Sequence, residues 1–227
     1  MARIRAATNY GIEPLSAGWQ LAELTPGTTL ASPTDLEPLH DWQSALCPGT
    51  VASALREQKA WDFASSRRFD ESEWWYRTRF ASTPCASGEA LWLELDGLAT
   101  LADVWLNGVH ILRSENMFLA HELDVSALIR ADNQLHIRFA SLEVASSARL
   151  PRPRFKTRLV ERQQLRWFRT TLLGRIPGWT PPVTAVGPWR SVRLVRRRAV
   201  SIRHAELRSR IEGERALVRA QLELDVL

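Results

Sequence analysis

Residues 91–141 read LWLELDGLATLADVWLNGVHILRSENMFLAHELDVSALIRADNQLHIRFAS. Leu91, Leu93 and Leu95 alternate with Trp92, Glu94 and Asp96, a period of two that marks a strand with one buried face. Asp96-Gly97 interrupts the pattern. Ala102, Val104 and Leu106 then share one face, with Asp103 and Trp105 on the other, and Val109–Leu112 resumes the extended pattern after Asn107-Gly108. Asn-Gly between two such runs signals a hairpin, because a type I′ turn needs positive φ at both central residues. Leu135, Ile137 and Phe139 alternate with His136, Arg138 and Ala140. The stretch predicts an antiparallel sheet of consecutive, tightly turned strands, with one helical turn capped by Asp124.

Upstream, residues 1–40 are weakly periodic and are punctuated by Pro14, Pro26, Pro33 and Pro38, although Trp19–Leu24 reads as a first strand. Thr50 is placed to cap a short helix running to Gln58, with Val51, Ala54 and Leu55 inward. In Glu73–Phe80, Trp74, Tyr76, Thr78 and Phe80 face one way and Trp75, Arg77 and Arg79 the other. Downstream, Ser146–Gly187 loses the strand pattern. Pro151-Arg152-Pro153-Arg154 reads as extended, Thr157–Trp167 as a short helix, and Gly174, Pro177-Gly178 and Pro181-Pro182 as a long loop of the kind that is often functional. Trp189–Val195 returns to strand, and Ser201–Arg210 and Ala216–Leu227 form a hairpin turning at Gly213. Two strands cannot bury their own face; an immunoglobulin-like sandwich needs about seven. The chain therefore divides into a β-sandwich domain over 1–198 and the opening strands of a second, truncated sandwich over 199–227.

Composition narrows the function classes. With 227 residues and 45% apolar content, a substantial core is affordable. Cys47 and Cys85 have no metal-ligand spacing and are expected as free buried thiols. The N-terminus lacks an apolar signal segment, and no apolar run approaches the ~20 residues of a membrane span, so the expected setting is cytoplasmic with no membrane partner. The net charge is +5, and Lys59 and Lys156 are the only lysines among 30 basic residues. The basic residues crowd into 149–198, which raises nucleic acid as a partner; the preferred reading is an arginine-rich surface partly paired with carboxylates, with no nucleic-acid partner. Ten tryptophans against two tyrosines suit both a β core and sugar stacking.

Pro48-Gly49-Thr50-Val51, Arg68-Phe69 leading into Glu73–Arg77, Ala102–Gly108, Asn116-Met117-Phe118 and Leu123–Ser126 resemble, in that order, the N-terminal sugar-binding domain of glycoside hydrolase family 2, its β-mannosidase-like branch above all. The resemblance covers roughly Pro48 to Val195. It implies an all-β, galactose-binding-like jelly-roll sandwich with short helices, then the first strands of an immunoglobulin-like sandwich. A (β/α)8 catalytic barrel would follow, carrying the carboxylate pair of a retaining hydrolase. The chain would thus be the non-catalytic, sugar-binding portion of a glycoside hydrolase, and its partners carbohydrate and the missing C-terminal catalytic domain. The alternative is a stand-alone carbohydrate-binding module.

No catalytic residue, metal ligand or cofactor is assigned to this chain. Asp96, Asp103, Glu122 and Asp124 read as turn, edge or cap residues, and His40, His110, His121, His136 and His204 are dispersed. The family's Trp-Asp-Trp-Gly-Pro loop, whose aspartate holds the terminal sugar, has no counterpart; the corresponding region reads Arg166-Trp167-Phe168-Arg169 and Gly178-Trp179-Thr180-Pro181-Pro182. Within the 166–182 loop, Trp179 and Trp167 are the candidate sugar-stacking residues. Arg166, Arg169 and Arg175 are the candidate donors to hydroxyls or a carboxylate, since a guanidinium grips a planar carboxylate in two places.

Overall fold

The computed structural model describes residues 9–27, 32–36, 41–151 and 155–227, for Asn9 and Tyr10 the backbone only. His40 and the Arg152–Arg154 part of the extended segment lie outside the described residues. In chain order the strands are β1 (Asn9–Pro14), β2 (Gln20–Leu24), β3 (Gln43–Ser44), β4 (Glu73–Ala81), β5 (Glu89–Leu95) and β6 (Ala102–Leu106). They continue with β7 (Val109–Ser114), β8 (His121–Asp124), β9 (Asp132–Phe139), β10 (Val192–Arg198), β11 (Val200–Glu212) and β12 (Arg215–Val226). Two antiparallel sheets of order β1-β10-β5-β8 and β3-β2-β4-β9-β6-β7 face each other, and β11 pairs with β12. This is the expected all-β, galactose-binding-like sandwich.

The 91–141 stretch does not form one sheet, as its turns suggested. β5 and β8 lie in the four-stranded layer, while β6, β7 and β9 lie in the six-stranded one. Alternation reports which side of a strand is buried, not which neighbour it pairs with. The crossing between the layers is itself core: Leu98 and Ala99 are buried.

Leu91, Leu93, Leu95, Val192 and Leu194 of one sheet meet Trp74, Tyr76, Val104, Leu135, Ile137 and Phe139 of the other. Burying each such side chain stabilises by roughly 1.5–3 kcal/mol. The period of two in β4 sends Trp75 to the opposite face, where it stacks on Trp105 at 5.1 Å between ring centroids. Leu36 completes that second, smaller cluster, with Leu24 and Trp42 packed on it.

Local chemistry sets the connections. Asn107 and Gly108 have φ of +52° and +83°, as the hairpin turn requires. The Asn107 amide also donates to Leu128 O and Asn133 Oδ1, and its oxygen accepts from Gln134 N, so this turn is bonded to the one that enters β9. Helix α1 (Val51–Glu57) starts at Thr50, whose hydroxyl accepts from Ser53 N while Ser53 Oγ accepts from Thr50 N, a reciprocal cap. Cys47 and Cys85 are free. Cys47 is buried, which pushes its thiol up to about 12.

Four local readings change. Asn9–Pro14 forms a strand on β10 despite its weak periodicity, because an edge strand needs only one partner. Asp124 caps a turn rather than a helix, accepting from Ser126 N. A helix α2 (Leu142–Ser147), capped by Ser141, follows β9 where no helix was expected. Of the predicted Thr157–Trp167 helix only the single 3-10 turn Gln163–Trp167 forms.

Candidate functional site

The segment between α2 and β10 is long, irregular and fixed at its base. At one anchor, Met117 N donates to Arg169 O at 3.0 Å, and the buried Met117 thioether accepts from Thr171 N at 3.0 Å. Thr170 and Thr100 share a 2.6 Å hydroxyl contact. At a second anchor, Asp70 at the end of the Arg68-Phe69 approach to β4 is 1% exposed. Its carboxylate accepts from Arg175 Nη1 at 2.5 Å and from Thr184 Oγ1 at 2.7 Å, and its N–H donates to the same hydroxyl. Gly174, just before Arg175, has φ of +76°, and a Cβ there would lie 2.0 Å from Val183 O. Only glycine lets the two limbs of the loop approach so closely.

The third anchor is the return to the sheet. Gly187 exchanges two backbone hydrogen bonds with Ala99, while Val186 O and Pro188 O accept from Val51 N and Gly49 N at the start of α1. A Cβ on Gly187 would meet the Tyr76 hydroxyl at 2.8 Å; burial raises the pKa of that phenol. Trp189 Nε1 then donates to Met117 O at 2.8 Å, and Gly97 leaves room for its ring.

On this fixed base the loop exposes apolar side chains. Phe155, Leu159, Trp167, Leu172, Leu173 and Trp179 are all large and exposed, and Phe118 and Leu119 join them beside the Met117 anchor. Large exposed apolar groups that adjoin one another are the usual mark of an interaction surface. A cleft of about 350 Å³ opens beside it, lined by Arg68, Arg162, Leu165, Arg175, Ile176 and Pro177 among others.

The five candidate residues take different positions. Trp179 is 76% and Trp167 50% exposed. Arg169 holds Met117 through its carbonyl and leaves its side chain in solvent. Arg166 turns back into the loop, donating to Gln163 O, Gln163 Oε1 and Phe155 O and lying over the Phe155 ring. Arg175, with a side chain 5% exposed, is bound to Asp70. Of the five, Arg175 alone lines the cleft.

Asp70, Thr184, Met117 and the Arg68–Glu143 pair at 2.8 Å were not foreseen. Arg68 and Met117 lie in motifs of the resemblance, but the contacts themselves join residues far apart in sequence, which no local pattern reports. The other buried carboxylates are similarly engaged: Glu73 with Arg138, and Glu94 with Arg193 and Arg197. Asp96, Glu122 and Glu89 pair with Arg193, Arg197 and Arg196, so much of the positive charge of β10 is neutralised within the sheet.

Comparison with known proteins agrees with this architecture. The family model described as "Glycosyl hydrolase 2 galactose-binding domain-like" matches residues 19–190. Beta-mannosidase B of Thermothelomyces thermophilus is 36% identical over 135 residues, 55% of this chain and 15% of that protein. Beta-mannosidase B of Aspergillus clavatus is 45% identical over 76 residues, 33% of this chain and 9% of that protein. The chain thus matches a small part of much longer relatives. Among solved structures, the beta-D-mannosidase of Dictyoglomus thermophilum superposes with a TM-score of 0.70 at 21% identity, over 95% of this chain and 26% of that one. A Ruminococcus gnavus beta-glucuronidase gives 0.65 at 17% identity, over 99% and 35%; these likenesses speak to the fold. With three quarters of its length inside the family model, this chain belongs to the glycosyl hydrolase 2 galactose-binding domain-like family.

Proposed function

We propose that this chain is the non-catalytic N-terminal domain of a β-mannosidase-like glycoside hydrolase, and that its anchored loop packs against the catalytic barrel and presents Trp179 to the sugar. The observation that carries this is the combination of a fixed base and an exposed apolar surface over 155–179. A free domain gains nothing from such a surface, whereas a domain interface buries it. Trp179 offers a flat apolar ring of the kind that stacks on a pyranose. Trp167 and Arg169 are exposed on the same loop, while Arg166 and Arg175 act as positioning residues that hold the loop's shape.

In this reading β11 and β12 open a following immunoglobulin-like domain. Leu207, Val218, Leu222 and Leu224 on the hairpin are exposed and would gain a partner layer from further strands. Two free cysteines fit the cytoplasmic setting read from the sequence.

The test is the coding sequence beyond codon 227, together with hydrolysis of p-nitrophenyl β-D-mannopyranoside by the full gene product. A barrel bearing a pair of glutamates, with turnover, supports the reading. A gene product without such a barrel, which binds manno-oligosaccharides tightly by itself, identifies a stand-alone carbohydrate-binding module instead.

A further inference from the structure

The outer face of the six-stranded sheet, away from the main core, carries a second cleft unrelated to the 155–182 loop. It measures about 200 Å³ and is lined by Thr34, Arg77, Arg79, Asn107, Gln134 and His136 among others. Through Arg79, Asn107 and Gln134 it continues into a broader groove of about 570 Å³ that reaches Arg130 and Asp132.

Arg77 and Arg79 are two residues apart on β4, so their side chains share this face. His136 and Gln134 sit directly opposite them on β9. Both arginines have neutral partners. Arg77 Nε donates to Gln20 Oε1 at 2.9 Å, with its guanidinium 3.9 Å over the Trp42 ring. With the Gln134 amide turned so that its oxygen faces Arg79, the orientation its neighbours require, Arg79 Nε and Nη2 donate to that oxygen at 2.9 Å each. Among the described residues neither arginine meets a carboxylate, whereas Arg138, Arg193 and Arg197 on the outer sheet faces each do. Asp35, on the turn beside the cleft, accepts from Ser32 N. His136 is only 7% exposed, and its Nδ1 is buried without a hydrogen-bond partner. Two adjacent cations therefore line one cleft together with His136, whose Nδ1 is buried and unpartnered. A bound oxyanion answers both deficits, since a guanidinium binds carboxylate and phosphate with paired donors.

We propose that this cleft is an anion-binding site, in which Arg77, Arg79 and His136 hold the carboxylate or phosphate oxygens of a small ligand. Burial, together with Arg77 and Arg79, lowers the imidazole of His136 to about 4, so it is neutral at pH 7 unless an anion lies beside it. An anion between the three groups favours the imidazolium and raises that value.

The test is NMR titration of the 227-residue chain with inorganic phosphate and with D-glucuronate, using D-glucose and sodium chloride at matched ionic strength as controls. The proposal expects saturable shifts of the His136 ring resonances and a higher His136 titration midpoint with at least one of the two anions, and no such change with the controls. The tighter of the two identifies the source of the oxyanion. Arg79 is exposed, so Arg79→Gln keeps the fold and weakens binding by about tenfold, the loss expected for one charge-assisted pair. Arg113→Gln, outside the cleft lining and exposed in its pair with Glu115, leaves binding unchanged. Shifts no larger than those from chloride, or shifts equally strong in Arg79→Gln, overturn the proposal.

Discussion

Arg175 Nη1 lies 2.5 Å from Asp70 Oδ2, joining two buried side chains 105 residues apart in sequence. The pair fixes the loop that carries Trp179 to the residues entering β4, and Thr184 ties the returning limb to the same carboxylate. Removing one partner strands the other charge in the interior. Asp70→Ala is expected to cost about 3–5 kcal/mol in urea denaturation. Adding Arg175→Met should recover part of that loss, because the orphaned cation is then gone. A double variant as unstable as the sum of the two single variants would show that the pair is not coupled.

Gly174→Ala probes the same base without touching charge. The φ of +76° is strained for any side chain, and the new Cβ would collide with Val183 O. A loss of about 2 kcal/mol or more is expected, with faster proteolysis inside 155–182 as the loop lifts. Gly178, also at positive φ but with open space around it, should tolerate alanine better, at about 1 kcal/mol. Equal costs at the two positions would mean that close approach is not what selects glycine at 174.

His136 makes the stability of the sandwich depend on pH. Its imidazole is lowered from 6.5 to about 4, first by burial and then by Arg77 and Arg79. Between those values the unfolded chain binds the extra proton and the folded chain does not. Stability from this group is therefore present above pH 6.5 and lost as pH falls towards 4, by up to about 3 kcal/mol. Urea midpoints at pH 7.0, 5.5 and 4.5, compared with those of His136→Gln, measure it. The variant should show a flatter pH dependence; an unchanged slope would place the acid sensitivity elsewhere.

Sheet chemistry was largely legible in the sequence, and long-range chemistry was not. The alternation in Glu73–Phe80 foretold that Trp74 and Tyr76 would share one face and Trp75 take the other, because strand faces follow from a local period; which of the two enters the main core came from the fold. Asn107-Gly108 foretold its turn for an equally local reason. The assignment of β5 and β8 to one layer and of β6, β7 and β9 to the other was not legible, since partner choice depends on how the whole chain closes. The loop's irregularity could be read from proline and glycine spacing, whereas the exposure of Trp179 came from the structure. The role of Arg175 could not: Asp70 looks like any surface acid until the fold brings the two together.

The central claim is that the anchored loop presents Trp179 to a sugar held in a neighbouring catalytic barrel. It is tested most directly by the kinetics of p-nitrophenyl β-D-mannopyranoside hydrolysis by the full gene product carrying this chain, wild type against Trp179→Ala. Because Trp179 is 76% exposed, the substitution should leave the stability of the domain within about 0.5 kcal/mol. The account predicts a KM raised by about tenfold, the loss of one aromatic stacking contact, with kcat changed by less than about threefold. A KM equal to that of the wild type would contradict it.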